Sequence, residues 1–182
     1  MSDKDSVAAV DDTSTAATPK FEHPNGVKHV AETHVTATHL VKNEDINGAN
    51  RLFGGRLMEW IDELAGMAAR RHSGTAITTA AVDKLEFRHP ALVNDIVVID
   101  AWVTHVERSS MEVRVDTYVE DPALGTRLLV NQAYLTEVCV DEHGHPIANP
   151  WGLVADTDEE HAECDGARMR AELRKLRRAQ GI

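Results

Sequence analysis

The chain has 182 residues, enough for one domain with terminal extensions. Thirty acidic against nineteen basic residues give a formal charge of −11, which argues against a general electrostatic grip on nucleic acid or on an anionic membrane. Cys139 and Cys164 form no CxxC pair, and neither a run of about 18 apolar residues nor a basic-then-apolar leader occurs, so a cytoplasmic protein without a membrane span is expected.

Residues 1–30 are rich in Ser, Thr, Asp, Ala and Pro; they bury too little apolar surface to offset their ordering and read as a flexible arm. The domain proper is expected over 31–154. It opens with β-branched residues at 33–41 (THVTATHLV), which read as a strand, and a turn-like loop at 43–53 with Asn43, Asn47, Gly48 and Asn50. From Gly55 to Arg71, steps of 100° gather Leu57, Trp60, Ile61, Leu64, Met67 and Ala68 on one face and Glu59, Glu63 and Arg70 on the other. This predicts a long amphipathic helix that stops near Gly74.

The hydrophobic period then changes from 3.6 to 2. Strands are predicted at 78–89, 95–106, 111–120 and 127–140, joined by short turns rather than crossover helices, so the sheet is mainly antiparallel. Strand 95–106 is apolar on both sides and belongs inside the sheet. Strand 111–120 alternates, with Met111, Val113 and Val115 against Glu112, Arg114 and Asp116, so one of its faces should meet water. The tail, 155–182, carries a capping box at Thr157 and Glu160 and reads as a charged helix, with Gly166 arguing against an unbroken one. One long helix on a curved antiparallel sheet, an α+β fold, is the economical arrangement.

Candidate chemistry gathers at the long helix. Asp62 has Met58, Glu59, Ala65 and Gly66 as helical neighbours, so no cation on its own helix pairs with it. A half-withdrawn carboxylate of this kind suits a general base or nucleophile; an ordinary boundary acid is the plain alternative. Gly54 and Gly55 stand at the start of the helix, where first-turn amides lack intrahelical acceptors and can polarise a carbonyl; a simple turn or tight helix packing is the plain alternative. Arg108, Ser109 and Ser110 offer a local phosphate contact at a strand turn, or only an exposed polar turn. Asp83 is either a second acid near the site or the mark of a bulge. His143 and His145 flank Gly144 in a hairpin turn and lack further ligands nearby, so no metal is expected.

Taken in order, the blocks from Asn47 to Asp62 (N-x5-FGG-x2-M-x3-D), 81–97 (AVDKLEFRHPALVNDIV), 108–113 (RSSMEV) and 136–150 (TEVCVDEHGHPIANP) resemble the acyl-CoA thioesterases of the hotdog fold over about residues 35–150. The resemblance implies a long central helix wrapped by a curved antiparallel sheet. It implies dimers formed through sheet edges, often assembled as trimers of dimers into hexamers, with sites at the interface. Asp62 would be the catalytic acid, Asn47 its partner from the facing subunit's loop, and Gly55 the amide on the thioester carbonyl. Arg108, Ser109 and Ser110 would help hold coenzyme A, and Gly54, at the helix start, is a further candidate for binding the substrate. The chain departs from the family at Asn50, which stands where a glycine is common and competes with Asn47 for the catalytic role, at Asn94, and at Glu107 before the Arg-Ser-Ser turn.

The expected function is therefore hydrolysis of acyl-CoA to fatty acid and coenzyme A with no cofactor, by a water that Asp62 deprotonates or through an anhydride on Asp62 itself. The rival is a non-catalytic acyl-CoA-binding sensor on the same scaffold. A dehydratase would want a His near the helix start, and residues 43–62 contain none.

Overall fold

A computed structural model describes residues 21–181. The elements are β1 (Val27–His29), β2 (Val35–Leu40), α1 (Gly54–Ser73), β3 (Ala76–Phe87), β4 (Ile96–Val106), β5 (Ser110–Asp121), β6 (Thr126–Val140), β7 (Gly152–Val154) and α2 (Asp158–Gln180). Five strands form one antiparallel sheet in the order β2-β4-β5-β6-β3, and β1 pairs in parallel with β7. Much of the arm expected over 1–30 lies outside the described residues. Its last part is built into the fold through β1, secured by Asn25 N–H donating to the Pro150 carbonyl at 2.9 Å.

α1 packs against all five strands of the sheet. Its buried side chains are Leu57, Ile61, Leu64, Ala65, Ala68, Ala69 and His72, a stripe at the 3.6-residue spacing. They meet Val97, Ile99, Ala101 and Val103 of β4, Met111, Val113 and Val115 of β5, and Ala133, Leu135 and Cys139 of β6. Each large side chain removed from water in this way contributes roughly 1.5 to 3 kcal/mol. Met67, expected in the stripe, is 52% exposed instead, because the small Ala65, Ala68 and Ala69 rather than Met67 let the helix lie close to the sheet. Gly74 ends α1 in the left-handed region at φ 72°, its N–H donating to the Arg70 carbonyl at 2.8 Å.

The other face of the sheet corrects two expectations. Much of the polar side of β5 is withdrawn from water: Glu112 and Asp116 are buried, and α2 reaches this face at Glu112 and Arg114. Arg170 of α2 reaches Glu112 at 2.9 Å and lies 3.8 Å from the Tyr134 ring, Arg114 of β5 pairs with Glu163 of α2, and Arg174 pairs with Asp83. The sequence of 111–120 alternates because its second face receives a charged helix. Gly166 does not break that helix, which runs unbroken behind the Thr157–Glu160 capping box. A Cβ at position 166 would stand 3.2 Å from the Arg170 guanidinium, so the missing side chain leaves the arginine room. Asp83 lies at a register shift in β3, receives the Thr136 hydroxyl at 3.1 Å, and anchors α2; the bulge reading holds.

Candidate active site

Three groups of residues stand near α1, and the fold brings some together and keeps others apart. At its start, Phe53 is the residue before the helix, and its N–H donates to the Asp45 carbonyl at 2.8 Å. The amides of Gly54, Gly55 and Arg56 precede the first intrahelical bond, Leu57 N–H to the Phe53 carbonyl at 3.1 Å. At Gly55 a Cβ would fall 2.5 Å from the Phe53 ring, so only glycine lets that ring fold over the first turn. Gly54 lines a hollow of about 360 Å³ with Asn47, Arg51, Phe87, Arg88 and His89.

Asn47 and Asn50 are distinguished by their backbones. Asn50 has φ 57°, the left-handed conformation for which glycine is the usual choice and which asparagine tolerates. The Asn47 side-chain oxygen accepts from Ala49 N–H at 2.9 Å and Arg51 N–H at 3.3 Å, which leaves its amide N–H groups for a ligand in the hollow. Asn94, at φ 70°, occupies its turn in the same way as Asn50.

Eight residues further along α1, about 12 Å at the helical rise, Asp62 borders a second hollow with Glu63, Gly66, Met67, Arg70, Ile77, Thr79 and Glu137. Its side chain is exposed but held, since the Thr79 hydroxyl donates to Asp62 Oδ1 at 2.7 Å. Thr79 Oγ1 also stands 3.2 Å from both Glu137 oxygens. Burial pushes the Glu137 carboxyl up to about 7; the Thr79 bond opposes this and the Asp62 charge adds to it. Neither Thr79 nor Glu137 was singled out from the sequence. The available signal was parity: Glu137 alternates with Leu135 and Cys139 of the core.

The phosphate-contact candidates lie on the β4–β5 turn. The Arg108 carbonyl accepts from Asn149 N–H at 2.7 Å and that of Ser109 from Cys139 N–H at 2.9 Å, so the turn rests on the end of β6. The Ser110 hydroxyl donates to Glu107 at 3.3 Å. Glu107, whose charge would repel a phosphate, lies 2.7 Å from Lys175 of α2. Burial alone would raise its pKa, yet the Lys175 ammonium holds it below the ordinary carboxylate range. The Arg108 guanidinium is exposed and pairs with no acid among the described residues. Arg56, by contrast, is taken up by Asp45 at 3.3 Å and Glu59 at 2.6 Å.

One protomer therefore holds an acid with its hydroxyl donor at one place and an asparagine with free amides at another. On the same flank of the molecule β3 closes the sheet as an edge strand, and Met58, Met67, Val82 and Phe87 are exposed.

Comparison with known proteins gives a consistent family. Residues 49–126 match the Thioesterase superfamily. Over 147 residues the chain is 38% identical to an uncharacterized acyl-CoA thioester hydrolase, YkhA, of Bacillus subtilis (strain 168), covering 81% of this chain and 85% of that protein. Among solved structures, the acyl-CoA hydrolase of Staphylococcus aureus in complex with butyryl coenzyme A, coenzyme A and coenzyme A disulfide superposes with a TM-score of 0.80 at 34% identity, covering 85% of this chain and 94% of that one. An apo-hexameric acyl-CoA thioesterase gives 0.80 at 35% identity over 85% and 98%. The Staphylococcus aureus protein was also solved as three single variants, with alanine in place of an asparagine, of an aspartate and of a threonine, whose spacing along its chain is that of Asn47, Asp62 and Thr79 here.

Proposed function

The chain belongs to the thioesterase superfamily as a hotdog-fold acyl-CoA hydrolase, and from that premise we propose that it cleaves acyl-CoA at a seam between two copies of itself. The observation that carries this reading is the separation of the two half-sites on one rigid helix. Asn47 and the first-turn amides line one hollow, Asp62 lines another about 12 Å away, and both lie beside exposed apolar side chains and the open edge of β3. A second copy packed on that flank would set the helix start of one chain against the Asp62 hollow of the other.

The chemistry then follows from the groups present. The thioester carbonyl sits on the amides of Gly54 and Gly55, which stabilise the oxyanion as it forms. Water, oriented by Asn47, gives a proton to Asp62 and its oxygen bonds to the carbonyl carbon. When the C–S bond breaks, the Asp62 proton passes to the departing sulfur, and free acid and the coenzyme A thiol leave. Thr79 keeps Asp62 aimed, and Arg108 with Ser109 and Ser110 supplies the local positive charge that an overall acidic protein needs for an anionic substrate. Assembly as a trimer of dimers is supported by the hexameric relative. The free thiols of Cys139 and Cys164 suit the reducing cytoplasm, and among the described residues no helix is long and apolar enough to cross a membrane.

The decisive experiment follows thiol release from acyl-CoAs of increasing length with the parent, Asp62→Asn and Asn47→Ala. Each variant alone should lose roughly a hundredfold or more in kcat. Mixed and reassembled, the two should regain activity, because in a mixed dimer one of the two sites has both natural residues. Full turnover by Asp62→Asn defeats the mechanism, no recovery on mixing defeats the shared site, and tight acyl-CoA binding without turnover by the parent moves the protein to a sensor.

A further inference from the structure

β6 places an acid where its neighbours are apolar. Ala133, Leu135 and Cys139 point inward with Glu137, which is 0% exposed. In register it stands opposite Thr79 on β3 and Met111 on β5. α1 contributes Asp62, Glu63 and Arg70 to the hollow that Glu137 closes, and β3 contributes Ile77 and Thr79. Arg70 is the single cation lining that hollow among the described residues, and neither Glu137 nor Asp62 makes an ion pair with it.

The hydrogen bonds here do not close without an extra proton. Thr79 has one hydroxyl hydrogen, and the shortest contact, 2.7 Å, gives it to Asp62. The Glu137 oxygens, both 3.2 Å from Thr79 Oγ1, then face only its lone pairs. An ionised Glu137 would be buried with no donor, an arrangement costing several kcal/mol. A protonated Glu137 satisfies every group: it donates to Thr79, and Thr79 donates to Asp62. Of the two acids, the buried Glu137 keeps the proton and the exposed Asp62 keeps the charge.

We propose that Glu137 is a positioning residue of the hydrolase, whose protonated carboxyl anchors a Glu137–Thr79–Asp62 hydrogen-bond chain and so aims an ionised Asp62 at the substrate water. When Glu137 ionises, two anions compete for one hydroxyl hydrogen and Asp62 loses its fixed aim. Turnover therefore falls as pH rises through the Glu137 titration. KM, set largely by the contacts of the Arg108–Ser110 turn with the substrate's phosphates rather than by the aim of Asp62, moves little.

This inference rests on the hydrolase reading, and two experiments separate the failure of one from that of the other. In the first, kcat and KM are measured against pH for the parent, Glu137→Gln and Glu137→Leu. Glutamine keeps the shape and an N–H that donates to Thr79, so at about pH 6 its kcat stays within about twofold of the parent and its decline toward about pH 8 is absent. Leucine offers no donor, and its kcat drops about tenfold across the range with KM unchanged. A Glu137→Gln enzyme that keeps the parent's decline, or that is inactive at the acidic end, overturns the proposal. In the second, carbon NMR follows titration of the Glu137 carboxyl in the parent and in Asp62→Asn. Titration well above the range of free glutamate, lowered when the Asp62 charge is removed, supports the chain of bonds. An ordinary titration indifferent to Asp62→Asn overturns it. If the parent releases no thiol from any acyl-CoA, the hydrolase reading fails while the titration still decides the pairing.

Discussion

Glu137→Gln also has a thermodynamic consequence that needs no substrate. A carboxyl raised from 4.5 to about 7 keeps its proton in the native state over a window in which the unfolded chain has released it. The native state then binds more protons than the unfolded one, so stability falls as pH rises through that window. At 1.36 kcal/mol per pH unit, the fully developed loss is about 3 kcal/mol by pH 8. Glutamine cannot ionise and escapes it. His72 titrates with the opposite sense: burial lowers it to about 4, so acidification through 6.5 toward 4 destabilises the native state. Because His72 is common to both proteins, it cancels when the two are subtracted. Urea unfolding followed by circular dichroism, at one fixed protein concentration, gives the free energy of each at about pH 5 and about pH 8. Part of that loss has already developed by pH 5, so the difference between variant and parent should grow by between about 2 and 3 kcal/mol in favour of glutamine over that interval. An offset that stays constant with pH would falsify the assignment of a buried, proton-bearing Glu137.

Three further outcomes follow. Gly55→Ala, whose Cβ would meet the Phe53 ring at 2.5 Å, displaces that ring from the first-turn amides and lowers kcat roughly tenfold to a hundredfold; kcat equal to the parent in steady-state thiol release would remove those amides from the site. Asn50→Gly suits φ 57°, so activity is retained and stability shifts by less than about 1 kcal/mol; a loss matching that of Asn47→Ala would transfer the catalytic role to Asn50. Arg174→Ala leaves the buried Asp83 with the Thr136 hydroxyl and only the longer ion pair to the half-exposed Arg177 at 3.5 Å, costing roughly 2 to 3 kcal/mol in urea unfolding; a cost under about 1 kcal/mol would mean that α2 is held by other contacts.

The long helix and the four main strands were legible because their periods, 3.6 and 2, reflect one-sided burial, and the capping box at Thr157 and the stop at Gly74 are local signals complete within a few residues. The burial of β5's charged face was not legible, since an alternating Glu112–Arg114–Asp116 pattern looks the same whether water or an ion-pairing helix lies against it. Asp62 stood out by its lack of helical partners. Thr79 touches it, and Glu137 reaches it through Thr79, only because β3 and β6 pair in a register set by the β-bulges of β3, one of them between Thr79 and Ala81, which no local pattern encodes. The difference between Asn50 and Asn47 lies in a backbone angle, a quantity that sequence shows only as a preference for glycine or asparagine.

α2 is fastened by charges of a different kind from those awaiting a ligand. Arg174 and Asp83 retain only 10% and 7% of their side-chain surface, whereas Arg108 stands in open solvent. Mobile ions shield exposed charges and scarcely reach enclosed ones. Raising ionic strength should thus loosen the hold on an anionic guest while leaving the C-terminal brace seated, so brine acts on recognition and spares architecture.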